Sequence, residues 1–143
     1  MKFHHVGVLV QELDQGRKVL ESISPSLLWS EVIEDPTIGV KVQFGLENSG
    51  LRYELVAPFG VESPITNYLE KNGNMFHHIA YQVANFNMKC CELRKLGWVP
   101  LGEPKPAVAF SGKRVAFFLS PTRLIFELIE DSIQTNGNES QNE

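Results

Sequence analysis

The chain has 143 residues, 43% of them hydrophobic, and a formal net charge of −4. That suits a single domain with a sizeable core, and it offers no basic footprint for nucleic acid or an anionic membrane surface. No apolar run is long enough to span a bilayer, the two cysteines (Cys90 and Cys91) are adjacent, and a strand-like pattern begins at Met1-Lys2-Phe3, so a cytoplasmic protein in a reducing compartment is expected.

In chain order, residues 3–10 alternate and are rich in β-branched side chains, which predicts a strand. An amphipathic helix follows from Glu12 to about Leu28, with Pro25 at its end or in its last turn. Trp29 to Ile33 reads as a second strand, Val40 to Leu46 as a third, and Leu51 to Val56 as a fourth beyond an Asn48-Ser49-Gly50 turn. Ser63-Pro64 predicts a short capped helix over Ile65 to Lys71. The order then restarts, with a strand at 76–83, a helix at about 86–96, a short strand near 98–101, and strands at 114–119 and 123–130. The polar stretch from Asp131 reads as a disordered tail.

The restart is a repeat. Phe3-His4-His5-Val6 returns as Phe76-His77-His78-Ile79, and Tyr53-Glu54-Leu55-Val56 returns as Phe126-Glu127-Leu128-Ile129, each after 73 residues. Leu20 and Leu93, Lys41 and Arg114, Val42 and Val115, and Phe44 and Phe117 keep the same offset. A register held over so many positions implies an α+β fold of two βαβββ modules, about 1–57 and 74–130, joined by 58–73 and related by a pseudo-twofold axis. Their curled mixed sheets would enclose a central cavity.

Two His and two Glu thereby occupy equivalent places. Strand parity puts His5 with Phe3, Gly7 and Leu9, and Glu54 with Arg52 and Val56. If the sheets curl together, His5, Glu54, His78 and Glu127 converge. Two facing buried carboxylates repel, and a divalent cation removes that cost. Two imidazoles and two carboxylates suit one ion of nickel, cobalt, zinc, manganese or iron. Lys41, Gln43, Arg52 and Arg114 are candidates to meet a substrate beside them. A lone strand histidine is ordinarily a satisfied core residue, and parity assigns that role to His4 and His77, on the helix-facing side. The matched quartet is what lifts the ligand reading above it.

These residues resemble the vicinal oxygen chelate superfamily, in particular its methylmalonyl-CoA epimerase and glyoxalase I branches. The likeness runs over about residues 3–130, on Phe3-His4-His5-Val6-Gly7-Val8, Tyr53-Glu54-Leu55-Val56-Ala57-Pro58, Glu62-Ser63-Pro64-Ile65 and Phe76-His77-His78-Ile79-Ala80-Tyr81. Leu119 to Arg123 departs from the His-Pro-Lys and glycine-rich turn usual there. The resemblance implies metal ligands at His5, Glu54, His78 and Glu127. It also implies an isomerase or lyase that abstracts a proton alpha to a carbonyl and holds an enediolate on the metal. Glu127 would be the principal base, with Glu54 a ligand or the base for the opposite face. The expected partner is a small carbonyl compound or acyl thioester, and a homodimer follows by analogy. Rival expectations are a glyoxalase I-like lyase and a non-catalytic, antibiotic-binding protein of the same fold. Ring-cleaving dioxygenase chemistry fits the two-Glu quartet less well.

Overall fold

The computed structural model describes residues 1–131; the rest of the expected tail lies outside them. The first half contains β1 (Lys2–Leu9), α1 (Leu13–Ile23), β2 (Leu28–Trp29), β3 (Ile33–Asp35), β4 (Val40–Leu46) and β5 (Arg52–Pro58). After α2 (Thr66–Asn72) the second half repeats the order as β6 (Met75–Val83), α3 (Phe86–Lys95), β7 (Val99–Pro100), β8 (Lys105–Pro106), β9 (Arg114–Leu119) and β10 (Ile125–Glu130). A single 3-10 turn, Val108–Phe110, precedes β9.

All ten strands join one curled sheet in the order β2-β4-β5-β1-β6-β10-β9-β7, with β3 on β4 and β8 on β9. The middle of that order shows the symmetry. β1 and β6 run antiparallel, and each has the last strand of its own half parallel on its outer side. The α+β class and the curled two-half sheet agree with the sequence.

One face of the sheet carries the helices. Leu13 and Leu20 of α1 pack with Val10 and Leu55, and their mates Phe86 and Leu93 of α3 pack with Val83 and Leu128. Each buried Leu contributes on the order of 1.5–3 kcal/mol. Gly16 closes the first turn of α1, at a propensity cost of up to about 1 kcal/mol relative to Ala. Its reason is close approach, since a Cβ there would press on Val10 and Leu55 at 3.0–3.2 Å. The other face curls around the cavity, with Leu9, Val40, Val42 and Val56 in one wall and Ala80, Val115 and Ile129 in the other.

Some boundaries move. The first helix stops at Ile23, before Pro25, and the expected strand at 29–33 splits into β2 and β3 around Ser30 to Val32. Ser63 does not cap α2 through its side chain: its buried hydroxyl has no hydrogen-bond partner among the described residues, while its carbonyl accepts from the Thr66 N–H at 3.3 Å. The stretch 105–110, unassigned from sequence, supplies β8 and the 3-10 turn. Buried Asp35 ties that turn to the first half by accepting from the N–H groups of Ile38 (3.1 Å) and Val108 (3.0 Å).

Candidate metal centre

The central strands present both His-His doublets, and each doublet carries a β-bulge. Along β1 and β6 the pairs run Phe3–Tyr81, His5–Ala80, Val6–Ile79, Gly7–His78, Val8–Phe76. His4 is the extra residue on one strand and His77 on the other. A bulge re-aims a side chain that simple alternation would send to the opposite face. The expectation that His4 and His77 face the helices is therefore corrected. His4 lies against Phe110 and Phe44, with ring centroids 5.3 and 6.1 Å away, and His77 lines the cavity beside His78.

His5, Glu54, His78 and Glu127 are all buried, and one ligand atom from each lies within 4.8 Å of the others. The two Nε2 atoms of His5 and His78 are 3.2 Å apart. Glu127 Oε2 stands 3.2 Å from the first and 3.0 Å from the second, while Glu54 Oε2 stands 3.6 Å from His5 alone. The Nδ1 atoms are committed elsewhere, at 2.7 Å between His4 and His5 and at 2.9 Å between His77 and His78. With a proton on each inner Nδ1, the Nε2 atoms carry bare lone pairs aimed at Glu127 Oε2, a buried oxygen that then has no hydrogen-bond donor among the described residues. A cation at the centre satisfies such a set, as does a proton on Nε2 when no cation is bound. Two imidazoles and two carboxylates at this spacing fit a divalent ion, which they would hold through Nε2 and Oε atoms.

Electrostatics separates the residues. Burial pulls His5 down, but Glu54 and then Glu127 outweigh it and leave the imidazole above its ordinary value. Burial pushes Glu54 up, against His5 and with help from Glu127, so its carboxyl ends above the usual range. Burial acts the same way on Glu127, yet with no cation at the centre the imidazoles, when protonated on Nε2, donate to it and carry it down to about 2. His4, through burial and the positive His5 and Arg52, and His77, through burial and His78, fall to about 4. Both outer rings are neutral at pH 7.

The centre sits beneath a cavity of about 310 Å³, with Glu54, His78 and Glu127 in its lining and His5 behind them. Its walls are otherwise mostly apolar, including Val40, Val42, Val115 and Phe117. Phe110 stacks on His5 at 6.1 Å, Phe44 meets His5 edge-on at 5.9 Å, and Phe117 meets His78 likewise at 5.0 Å. Phe44 and Phe117 also stand across the ladder from Glu54 and Glu127. The repeat already pairs those two phenylalanines, and that pairing is the signal that could have placed them at the centre. Phe110 has no such signal, because its mate is Thr37.

Three of the four polar residues expected beside the quartet are elsewhere. Lys41 and Gln43 alternate with Val40, Val42 and Phe44, so they fall on the helix face; Gln43 accepts from Arg17 at 2.7 Å and donates to the Ser30 carbonyl at 2.7 Å. Arg114 alternates with Val115 in the same way. It pairs with Glu130 at 2.8 Å and lies over the Phe86 ring at 4.8 Å. Arg52 alone shares the side of Glu54, where it donates to the His4 carbonyl at 3.4 Å.

Comparison with known proteins places the chain further. Residues 3–117 match the Glyoxalase/Bleomycin resistance protein/Dioxygenase superfamily. The mitochondrial methylmalonyl-CoA epimerase of Dictyostelium discoideum is 31% identical over 131 residues, which cover 90% of this chain and 76% of that one. The chain spans only 52% of the length of the mouse methylmalonyl-CoA epimerase, at 33% identity, and 65% of the human one, at 32%. Among solved structures, a hypothetical protein from Bacillus halodurans superposes with a TM-score of 0.78 at 28% identity, covering 92% of this chain and 94% of that one. The Streptomyces coelicolor methylmalonyl-CoA epimerase, in complex with 2-nitronate-propionyl-CoA, has the same fold at a TM-score of 0.73 and 20% identity, covering 92% and 98%. Among the described residues, no helix is long and apolar enough to cross a membrane.

Proposed function

Since this chain belongs to the Glyoxalase/Bleomycin resistance protein/Dioxygenase superfamily, we propose that it is a metal-dependent isomerase moving the proton alpha to the carbonyl of an acyl thioester, as a methylmalonyl-CoA epimerase does. One observation carries this reading. Four buried ligand atoms converge beneath an apolar cavity, and beyond the two imidazoles the central oxygen, Glu127 Oε2, meets no hydrogen-bond donor among the described residues. A bound divalent ion would supply Lewis acidity, making the proton next to a coordinated carbonyl easier to remove.

The chain's own residues divide the remaining work. His5, His78 and Glu127 hold the centre, and Glu127, set between two imidazoles, stays anionic. Glu54 reaches only one imidazole, at 3.6 Å, and burial holds its carboxyl above the ordinary range, so of the two carboxylates it is the less tied to the centre and the better placed to accept a proton. This reverses the order expected from the sequence, in which Glu127 was the principal base. Glu127 is left to serve the opposite face. The apolar walls exclude water from the exchange and would take a small acyl group.

The experiment is elemental analysis followed by two assays, on methylmalonyl-CoA and on the methylglyoxal–glutathione adduct, with and without chelator. We expect about one divalent ion per chain, and alpha-proton exchange on methylmalonyl-CoA that chelator abolishes and added metal restores. Turnover of the glutathione adduct alone would transfer the reading to a glyoxalase I-like lyase. Full activity in metal-free protein would overturn it, as would tight chelator-independent binding of an aromatic drug without turnover.

A further inference from the structure

The doublets contain two imidazoles that the proposed reaction does not use. His4 and His77 are each the extra residue of a bulge, 73 positions apart on facing strands, and each bulge sits beside a histidine of the quartet. A bulge interrupts the ladder, and this pair of strands has two, at matching places. Without them His4 and His77 would point at the helices. With them, each outer ring meets its inner neighbour nearly edge-on, at 83° and 5.0 Å in one doublet and 87° and 5.1 Å in the other. In both, the atoms that meet are Nδ1 and Nδ1, at 2.7 and 2.9 Å. The outer rings are themselves packed, His4 against Phe110 and His77 against Tyr68 at 5.7 Å.

We infer that His4 and His77 are positioning residues: each accepts the Nδ1–H of the adjacent inner histidine, so that His5 and His78 present their Nε2 lone pairs to the cavity. One hydrogen is shared between each pair of Nδ1 atoms, and a ligand histidine must carry it on the inner ring. The partner's chemistry also suits the site. A metal-ligating histidine commonly donates its other N–H to a carboxylate, backbone carbonyl or water. Here the quartet already holds two carboxylates, which balance a divalent charge. A carboxylate behind each histidine would add two buried negative charges with nothing to neutralise them. A neutral imidazole accepts the same hydrogen and adds none.

This rests on the metal reading above, so the test keeps the two apart. His4→Phe and His77→Phe keep a ring and remove the acceptor; His4→Asn and His77→Asn place an amide oxygen near where Nδ1 stands. Zinc and cobalt affinities of each variant are measured by competition with a chromophoric chelator. The Phe variants should bind roughly 10–100-fold more weakly, while the Asn variants stay within about threefold of the parent on the same scale. Wild-type affinity in the Phe variants overturns the inference, and so does equal weakness of Asn and Phe variants, which would mean packing alone. In parallel, long-range proton–nitrogen correlation on ¹⁵N-labelled metal-free protein at about pH 9, above imidazole titration, reads the tautomers. Protonated Nδ1 on His5 and His78 is the expected result, and protonated Nε2 overturns it. Should the Phe variants not fold, the wild-type tautomers decide the matter. A wild-type chain that binds neither ion ends the metal reading and leaves the tautomers to judge the positioning one.

Discussion

The two halves of the sheet carry the same letters in the same register: a bulged His-His doublet, a Phe, and a Glu across the ladder from that Phe. Their environments nonetheless differ. Glu127 touches both inner imidazoles, Glu54 only one and from farther away. Gly7 lies beneath the His78 ring, whereas its mate Ala80 stands opposite His5 with a methyl group in place. Phe110 stacks on His5 from the other half, and His78 gets no equivalent, since Thr37 occupies the matching place. A sequence repeat thus sets which residues meet, and small departures from it make two chemically distinct carboxylates from one motif.

The bluntest way to break the comparison is to remove one half's ligand. His5→Ala and His78→Ala should each abolish retention of a divalent ion and the proposed activity. The affinity loss should exceed the roughly 10–100-fold expected for an outer partner. Elemental analysis and chelator competition check it. If one variant loses the ion and the other keeps it, the quartet is not a single site.

The carboxylates give the next largest effect, read on metal-free protein. Glu127 is depressed from 4.5 to about 2, so its contribution is present above the ordinary carboxylate value and disappears as pH falls from about 4.5 toward 2. That contribution is on the order of 3 kcal/mol, so Glu127→Gln should lower the Tm clearly at pH 7. Glu54 is raised, so its ionised form costs stability once pH climbs past the ordinary value. Glu54→Gln should therefore raise the metal-free Tm at pH 7, with the gain vanishing toward pH 4. Equal shifts in both variants would erase the distinction between the halves.

How far these features could be read beforehand follows from what each depends on. The quartet was legible because a constant offset names all four residues at once, and parity gives Glu54 and Glu127 their side. His4 and His77 were misplaced by the same parity rule, because a bulge is a backbone event with no alternation signature. Lys41, Gln43 and Arg114 were misplaced for the opposite reason. Parity holds in β4 and β9 and puts them on the helix-bearing face of the sheet, where Gln43 meets Arg17 and Ser30 and Arg114 meets Glu130. The link between Asp35 and Val108 joins segments far apart in sequence, and no local pattern announces it.

A subtler test uses the glycine. A Cβ on Gly7 would lie 2.0–2.4 Å from the His78 ring, which therefore has to move. Gly7→Ala should cost about 1–3 kcal/mol of stability and displace a ligand, weakening metal binding well beyond Ala80→Gly, which opens space under His5 and costs about 0.5–1 kcal/mol. Thermal melts with chelator competition compare the two. Equal tolerance at both positions would mean that the halves are closer to true symmetry than their side chains indicate.

The smallest effects should come from the arginines, and they separate the two faces of the sheet. Arg52 shares the cavity side and its charge acts on His4 and His5, disfavouring further positive charge there. Arg52→Ala should tighten binding of a divalent ion by about threefold or less, because solvent and salt screen a charge so near the surface. Arg114 matches Lys41 by the repeat but stands on the helix side, over Phe86 and paired with Glu130. Arg114→Ala should leave metal affinity unchanged and lower the Tm slightly through the lost packing on Phe86. Raised ionic strength gives a further check. It should shrink the difference between Arg52→Ala and the parent, whereas a direct ligand role for Arg52 would leave a loss of affinity that salt does not remove.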